Sequence, residues 1–281
     1  MGKDDLGSVF CCPVSKGTLV LEDGTLCCKT SERRYAIHEG IPDFFIEEDE
    51  AHSIFPEDLN RKWLLEDVAV GRDIVYGEYT RRLKGMQFVM DMLGKWSHPG
   101  FRILEVGCGT GHFTKWMTEV CDSDSEIFAF DFSQYMLAST QLKIGQPSNV
   151  KLFKANARGP MPFPEGHFDF ILQRLAPFGP RAFGSENWAM KYLKPGGHYI
   201  FAGWDHEFID FERLATAGYV DTELHRWEYK DVQSIEEYIG GLMEGGGHTR
   251  EEAEKKAKSV YSQPDEVRVR KEHVIVGKKE G

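Results

Sequence analysis

Apolar and polar residues in the middle of this chain follow the pattern of a buried strand that runs into a tight turn. Three of the four residues over 103–106 are apolar, which is typical of a parallel strand covered on both faces of a sheet. A glycine-rich turn over 107–111 follows, and a second apolar run over 126–131 ends in Asp131. The pattern predicts a strand, a turn, a helix over 112–120 and a second strand.

The spacing of these residues indicates a nucleotide-like cofactor. Glycines let a turn pass close to a ligand, and Asp131 stands twenty positions after Gly111, the distance at which a strand–helix–strand unit brings an acid to the ribose hydroxyls. A dinucleotide fingerprint would need a glycine at position 112, where the chain has His112. The observed pattern is E-x-G-x-G-x-G, beginning at Glu105.

This pattern resembles the first motif of the class I S-adenosylmethionine-dependent methyltransferases. The resemblance continues through Asp131-Phe132, through Asn156-Ala157 and the strand over 168–172, and through the helix, turn and strand over 192–200. It implies a Rossmann-like seven-stranded class I methyltransferase sheet with helices on both faces. It also implies S-adenosyl-L-methionine as cofactor, bound by Glu105, Gly107, Cys108, Gly109, Gly111, Asp131, Phe132, Met136, Asn156, Ala157 and Gln173.

The rest of the chain fits the remaining elements of that fold. We expect a helix over 208–217, a strand over 219–229, helices over 232–244 and 249–261, and a closing strand over 273–277. Thr249 and Glu252 have the spacing of a capping box. Residues 59–96 have a helical pattern that Tyr76-Gly77-Glu78-Tyr79 interrupts, and the resemblance implies that Tyr79 or Tyr76 covers the methionine end of the cofactor; packing residues are the alternative.

Composition and charge bear on location and partners. The chain has 281 residues, 41% of them apolar, and no stretch long enough to span a bilayer. We expect a cytoplasmic protein without membrane contact, a monomer or homodimer, whose six cysteines are mostly reduced. The formal charge is −11, and residues 1–60 carry five Lys and Arg against thirteen Asp and Glu. Such an acidic segment disfavours nucleic acid as a partner.

The N-terminal residues predict a small β-ribbon module. Asp23-Gly24 lies between two short apolar runs, which is a hairpin signal. The module resembles small zinc-ribbon proteins that activate methyltransferases and the zinc module of ribosomal-RNA guanine-N1 methyltransferases, which place ligands as C-P-x-C with a second pair later. Here Ser15 replaces the second cysteine, so a zinc site would rest on Cys12, Cys27 and Cys28. The alternative is a ribbon without metal, held by an apolar core.

The substrate side offers several candidate residues. The loop over 173–181 should lie at the carboxyl edge of the sheet, beside the cofactor. It has a proline and an aromatic residue but not the Asn or Asp that holds an exocyclic amine of a base, which leaves ring nitrogen, oxygen, sulfur or carbon acceptors open. Asp205 and His206 follow the fifth strand and are the best-placed bases, with His112 and His167 as alternatives.

We therefore expect three segments: residues 1–46 as a zinc-ribbon-like module, 47–99 as an acidic hinge and helical connector, and 100–281 as the S-adenosylmethionine-binding domain. The predicted function is methyl transfer to a small-molecule acceptor by in-line displacement. The alternatives are an RNA base methyltransferase of the ring-nitrogen guanine type and a non-catalytic, cofactor-binding partner protein.

Overall fold

A computed structural model of the chain describes residues 6–46, 81, 83–145, 147–157, 159–174, 185–204, 211–233, 236, 239–240, 243, 248–260 and 268–281. The helices are α1 (Leu6–Val9), α2 (Lys84–Trp96), α3 (His112–Val120), α4 (Gln134–Ile144), α5 (Ser185–Tyr192), α6 (Phe211–Thr216) and α7 (Arg250–Val260). The strands are β1 (Leu19–Glu22), β2 (Thr25–Cys28), β3 (Arg34–Tyr35), β4 (Ile37–His38), β5 (Ile41–Pro42), β6 (Arg102–Val106), β7 (Glu126–Asp131), β8 (Val150–Lys154), β9 (Phe168–Arg174), β10 (Leu193–Trp204), β11 (Tyr219–Gln233) and β12 (Arg268–Lys279).

Seven strands form the central sheet in the order β11-β12-β10-β9-β6-β7-β8. Strands β6 to β10 pair in parallel, whereas β12 is antiparallel to both β10 and β11. The chain runs outward from β6 through β7 to β8 and then returns to the other side of β6 as β9. Ligands of open α/β sheets bind outside the carboxyl ends of the strands at such a reversal, so the topology places a crevice above β6.

The elements predicted from the central pattern are confirmed, with α3 over 112–120 and β7 over 126–131. The capping box is also confirmed, because Thr249 N–H donates to Glu252 Oε2 over 2.9 Å and Glu252 N–H donates to Thr249 Oγ1 over 3.3 Å. Two elements differ. Strand β11 runs on to Gln233, so the helix expected over 232–244 does not begin at 232. Strand β10 already begins at Leu193 and passes through Pro195-Gly196-Gly197 with an irregular register, and Gly196 has φ +77°.

Helices α2, α3 and α4 cover one face of the sheet. Alternate residues of the strands, including Ile103, Ile127 and Ile200, pack there against α2 and α3, as the period of two along a strand requires. Helix α2 is fixed at its first turn, where Glu272 Oε2 accepts a hydrogen bond from Gly85 N–H over 2.8 Å. A carboxylate in this position is favourable because the N-terminus of a helix carries partial positive charge.

The opposite face is covered by α5, α6 and the N-terminal module. In the connection from β8 to β9, the described residues 155–157 and 159–167 form turns rather than a helix. Aromatic side chains of the module fill this part of the face. The ring centroid of Phe10 lies 5.5 Å from those of Phe153 and Phe163, and 5.2 Å from that of Phe44. The module therefore occupies the place of a crossover helix and shares one apolar core with the sheet.

The module itself contains a three-stranded sheet, β1-β2-β3, and the short pair β4-β5. The hairpin predicted at Asp23-Gly24 is confirmed, because Glu22 pairs with Thr25 and both turn residues have positive φ, +48° and +76°. Turns of this kind suit two-residue hairpins, since their twist matches that of the strands.

Polar contacts join the module to the turn after β8. Cys11 N–H donates to the carbonyl of Pro162 over 2.9 Å, and Lys16 Nζ donates to the carbonyl of Met161 over 2.7 Å. Lys154 Nζ pairs with Asp43 Oδ2 at 2.8 Å. These bonds hold the module against the segment that follows β8.

Within the described residues, every helix is too short or too polar to cross a bilayer.

Candidate functional site

The glycine loop joins β6 to α3 at the carboxyl edge of the sheet. Gly107, Gly109 and Gly111 have φ of +70°, +56° and +79°, a region that side chains disfavour. A Cβ added to Gly111 would lie 2.6 Å from Thr140, whereas one added to Gly109 would meet no atom within 4 Å. The loop is therefore packed against α4 on one side and open above Gly109, where a ligand could approach its backbone.

Asp131 ends β7 next to this loop. Its Oδ2 accepts a hydrogen bond from Gly109 N–H over 3.0 Å, and its Oδ1 accepts one from Ser133 N–H over 2.9 Å. The side chain is 6% exposed. An ionised carboxylate has about four acceptor positions, so it can accept further hydrogen bonds from a ligand. The two backbone bonds fix the acid at the mouth of the crevice.

Glu105 lies beneath the same loop without a basic partner among the described residues. Its Oε2 accepts a hydrogen bond from Thr114 Oγ1 over 2.6 Å. Burial, opposed by the Thr114 hydrogen bond and assisted by the charge of Asp131, raises the pKa of Glu105 to about 8. The carboxyl group is therefore mainly protonated at neutral pH in the protein alone.

Gln173 is the polar member of a row that crosses the sheet. Its partners in register are Val106 on β6 and Phe201 on β10, and the row continues as Phe130 and Ile275. The side chain is fully buried, with Oε1 2.9 Å from the hydroxyl of Tyr199. Its Nε2 is buried and has no hydrogen-bond partner among the described residues. A buried donor of this kind is costly, which marks Gln173 as a candidate functional residue.

The structure places the other predicted cofactor residues at the same edge. Cys108 lies in the glycine loop and its N–H donates to the carbonyl of Phe130 over 2.9 Å. Met136 lies in the first turn of α4, and its N–H donates to Oγ of the N-cap Ser133 over 3.4 Å. Phe132 follows Asp131, and Asn156 and Ala157 follow β8. Arg174, which the sequence did not single out, lies 4.8 Å from the ring of Phe113 at the end of β9.

Several of the predicted bases, and the residues predicted to cover the cofactor, fall outside the part of the chain that the structure describes. Asp205, His206, Tyr76 and Tyr79 lie outside the described residues, as do positions 175–181 of the predicted substrate loop. His112 Nε2 lies 2.9 Å from Lys143 Nζ at the start of α3. Burial, followed by the charges of Arg81 and Lys115, lowers the pKa of His112.

His167 is at the wrong edge of the sheet for a catalytic base. It precedes β9, so it lies at the amino ends of the parallel strands, and its ring stacks on Phe163 at 5.1 Å. Burial lowers its pKa to about 4. His167 is therefore a neutral packing residue, and its position directly before the strand already indicates this in the sequence.

The three cysteines predicted as metal ligands do not converge. Cys27 and Cys28 are neighbours on β2, and because side chains alternate along a strand they point to opposite faces. Cys27 Sγ lies 3.8 Å from the carbonyl oxygen of Thr25. Cys12 and Cys28 instead meet on the other side of the ribbon, where Ser15 contacts both sulfur atoms.

Two serines complete the group around Cys12 and Cys28, and the sequence analysis missed one of them. Ser31 Oγ lies 3.3 Å from Cys12 Sγ, and Tyr35 OH lies 3.2 Å from it. Although burial opposes it, hydrogen bonds to Cys12, chiefly from Ser15, lower the pKa of that thiol to about 6. The signal for Ser31 was the repeated spacing, because Cys28-x-x-Ser31 matches Cys12-x-x-Ser15.

This donor set does not fit the zinc site that the resemblance implies. Structural zinc takes four thiolate or imidazole ligands in a tetrahedron, and Ser15 and Ser31 supply neutral hydroxyls at two of the four positions. Within the described parts of the chain, no group of three or more His, Cys, Asp or Glu side chains could hold a metal ion. We therefore assign no zinc-dependent role to the ribbon.

Comparison with known sequences agrees with the geometry of the site. Residues 103–197 match the family described as "Methyltransferase domain", a range that includes the glycine loop, Asp131 and Gln173. Ubiquinone/menaquinone biosynthesis C-methyltransferase UbiE of Shewanella oneidensis is 32% identical over 123 residues, which are 40% of this chain and 47% of that protein. The chain thus spans about half the length of the curated relatives it matches.

Comparison with solved structures shows the same fold. The YcgJ protein of Bacillus subtilis has a TM-score of 0.53 at 15% identity, covering 70% of this chain and 98% of that one. Phosphoethanolamine N-methyltransferase 2 of Haemonchus contortus, solved with S-adenosyl-L-methionine, has a TM-score of 0.55 at 14% identity, covering 79% of this chain and 59% of that one. The α/β class I methyltransferase fold, predicted from the sequence, is confirmed.

Proposed function

We propose, on the premise that residues 103–197 form a methyltransferase domain, that the chain transfers a methyl group from S-adenosyl-L-methionine to a small-molecule acceptor. The observation that carries the proposal is the pairing of Asp131 with Gly109. The acid is fixed by the N–H of the glycine loop at the reversal of the sheet, where the Asp131 carboxylate and the glycine backbone would contact the same ligand.

The names of the similar proteins support a small acceptor. One relative is named for ubiquinone and menaquinone biosynthesis, and one structural neighbour for phosphoethanolamine. The described residues of the ribbon, 6–46, carry four Lys and Arg against five Asp and Glu. A surface that grips RNA neutralises phosphates with basic residues, so this charge favours the small acceptor over the RNA base.

The residues of the site would hold the cofactor rather than perform covalent chemistry. The bound cofactor supplies a methyl group on a positively charged sulfur. Asp131 would accept the ribose hydroxyls, and the open backbone above Gly109 would lie against the methionine portion. Transfer in line requires alignment of the acceptor with the methyl group, and the Gln173 amide, anchored by Tyr199, is a rigid group at this edge.

The proton of a weakly acidic acceptor needs a base. We keep Asp205 and His206 as the proposed bases, since they directly follow β10, whose end lies at the same edge as Asp131. The test is the rate of methyl transfer in Asp205→Asn and His206→Gln. A variant that lacks the base should have a kcat at least about tenfold lower than that of the unmodified protein, with an unchanged affinity for S-adenosylhomocysteine. If both variants transfer methyl groups at the rate of the unmodified protein, Asp205 and His206 are not the bases.

The cofactor assignment is tested by titration calorimetry with S-adenosylhomocysteine. We expect micromolar binding to the intact chain and loss of binding in Asp131→Ala. Asp122→Ala is the matched control, because Asp122 also accepts a backbone N–H, from Asp124 over 2.8 Å, but lies at the amino edge of β7. Absence of binding to the intact chain would overturn the enzyme assignment and favour a non-catalytic protein.

The acceptor class is tested with labelled methyl donor. Small-molecule pools and total RNA are offered separately to the intact protein, with Asp131→Ala as the blank. Label in the small-molecule fraction supports the proposal. Label in RNA alone would replace it with the RNA base methyltransferase.

A further inference from the structure

The N-terminal ribbon contains two turns of identical spacing that face each other. Each begins with a buried cysteine and ends with a half-buried serine: Cys12 and Ser15 in the first, Cys28 and Ser31 in the second. Ser15 N–H donates to Cys12 Sγ over 3.5 Å, and backbone N–H groups of the second turn, including that of Ser31, bond to Cys28. The two turns therefore direct their sulfur atoms to a common centre.

The side chains between the turns connect the two sulfur atoms. Ser15 Oγ lies 3.3 Å from Cys28 Sγ and also bonds to Cys12. Ser31 Oγ lies 3.3 Å from Cys12 Sγ and also bonds to Cys28. Both sulfur atoms thus share the same two hydroxyl neighbours. The two sulfur atoms therefore belong to one compact cluster of side chains.

We propose that Cys12 and Cys28 form a dithiol modification site that a hydroperoxide oxidises to a disulfide. One sulfur attacks the peroxide oxygen, which breaks the O–O bond and gives a sulfenic acid and an alcohol or water. The second sulfur then attacks the first, and the S–O bond breaks with loss of water. In total, two thiols and one hydroperoxide give one disulfide, one alcohol or water and one further water.

The position of the pair gives the reaction its selectivity. Cys12 is 0% and Cys28 2% exposed, and the half-buried Ser15 and Ser31 contact them, so a small peroxide reaches the pair more readily than a bulky reagent. Cys27 stands beside Cys28 in sequence but faces the opposite side of β2. Cys11 stands beside Cys12 and forms a backbone bridge with Thr18. These neighbours are therefore internal controls for the pair.

The experiment treats the full-length reduced protein with hydrogen peroxide, then denatures it and alkylates the remaining thiols, so that burial alone cannot protect a cysteine. We expect a mass loss of about 2 Da and protection of Cys12 and Cys28 from alkylation. Cys11→Ser and Cys27→Ser should still form the disulfide. Cys12→Ser and Cys28→Ser should each fail to do so while keeping the thermal unfolding curve of a folded protein, since serine is nearly isosteric with cysteine.

A gain-of-function variant tests the same geometry independently of oxidation. Ser15→Cys combined with Ser31→Cys places four thiols at the common centre, which suits tetrahedral zinc. We expect this variant to bind about one zinc ion per chain, measured by elemental analysis, and to resist peroxide while zinc is bound.

Three results would overturn the proposal. The first is a native protein that keeps all its thiols under peroxide, and the second is a disulfide that persists in Cys12→Ser or Cys28→Ser. The third is stoichiometric zinc in the unmodified protein, because bound metal would occupy both sulfur atoms. All readouts are independent of methyl transfer, so they stand apart from the proposed function.

Discussion

The hydroxyl of Tyr199 donates a hydrogen bond to Oε1 of Gln173 over 2.9 Å in the interior of the sheet. Both side chains are fully buried, and the other residues paired in the row of Gln173 are apolar. The amide is thus held rigidly by one atom while its Nε2 is unpartnered within the described residues. Such a group reduces stability unless a ligand or water satisfies it.

The contact between Gln173 and Tyr199 predicts that removing both polar groups preserves or raises stability but lowers function. Gln173→Leu together with Tyr199→Phe replaces both polar groups by apolar ones of similar shape, so we expect the free energy of unfolding to stay equal or rise by about 1 kcal/mol. We also expect S-adenosylhomocysteine binding or methyl transfer to fall at least fivefold. Denaturant unfolding and calorimetry measure the two effects. Unchanged binding and activity would show that the amide has no part in the site.

The ribbon predicts a large effect at Phe10. Its ring packs on Phe44, Phe153 and Phe163, so Phe10→Ala should lower the free energy of unfolding by about 3–5 kcal/mol. Val20→Ala, on the same module but 37% exposed, should change it by less than about 0.5 kcal/mol. Equal, small effects in both variants would mean that the ribbon is not part of the core.

The glycine loop predicts different tolerance at two neighbouring positions. Both Gly109 and Gly111 have positive φ, but only at Gly111 would a Cβ overlap Thr140. Gly111→Ala should therefore cost about 2–4 kcal/mol of unfolding free energy, and Gly109→Ala about 1–2 kcal/mol, the backbone cost alone. In Gly109→Ala we expect the greater relative loss of cofactor affinity, because its Cβ fills the open space above the loop. If Gly109→Ala lowers the free energy of unfolding more than Gly111→Ala does, this account is wrong.

Glu105 predicts a pH dependence of stability. Its pKa is about 8 in the folded protein and about 4.3 in an unfolded chain. Below the lower value both states are protonated; as the pH rises to 8 and beyond, the unfolded state loses the proton first, so stability falls by up to about 5 kcal/mol. Glu105→Gln should flatten this slope in urea unfolding between pH 5 and pH 8. Parallel curves for the two proteins would refute the raised pKa.

Local signals in the sequence were sufficient for the cofactor half of the molecule. The bounds of α3 and β7 follow from glycine punctuation and from apolar runs, and the hairpin at Asp23-Gly24 follows from turn chemistry. These signals act within a few residues, where backbone sterics decide the structure. The carboxyl edge of the sheet was predicted for the same reason, because strand direction follows from the chain order.

Features that depend on distant contacts could not be predicted. Nothing near Phe10 in the sequence shows that it packs on Phe163. Phe10 can pack there because the distant connection between β8 and β9 has turns in place of a crossover helix. The two thiols of Cys27 and Cys28 were equivalent in sequence, and only the pairing of β1 with β2 decides which one meets Cys12. The remaining site residues, such as Asp205, depend on segments outside the described residues.

The covering of the sheet by the ribbon also sets an order of events during synthesis. Phe10, Tyr35 and Phe44 are made before the sheet, and Phe163 is added 119 residues after Phe44. At about 5–20 residues per second, this interval is roughly 6–24 s, in which the aromatic face of the ribbon has no sheet to cover it. The ribbon is thus made before the part of the sheet on which it packs, and until then its aromatic face is open to chaperones and to wrong partners.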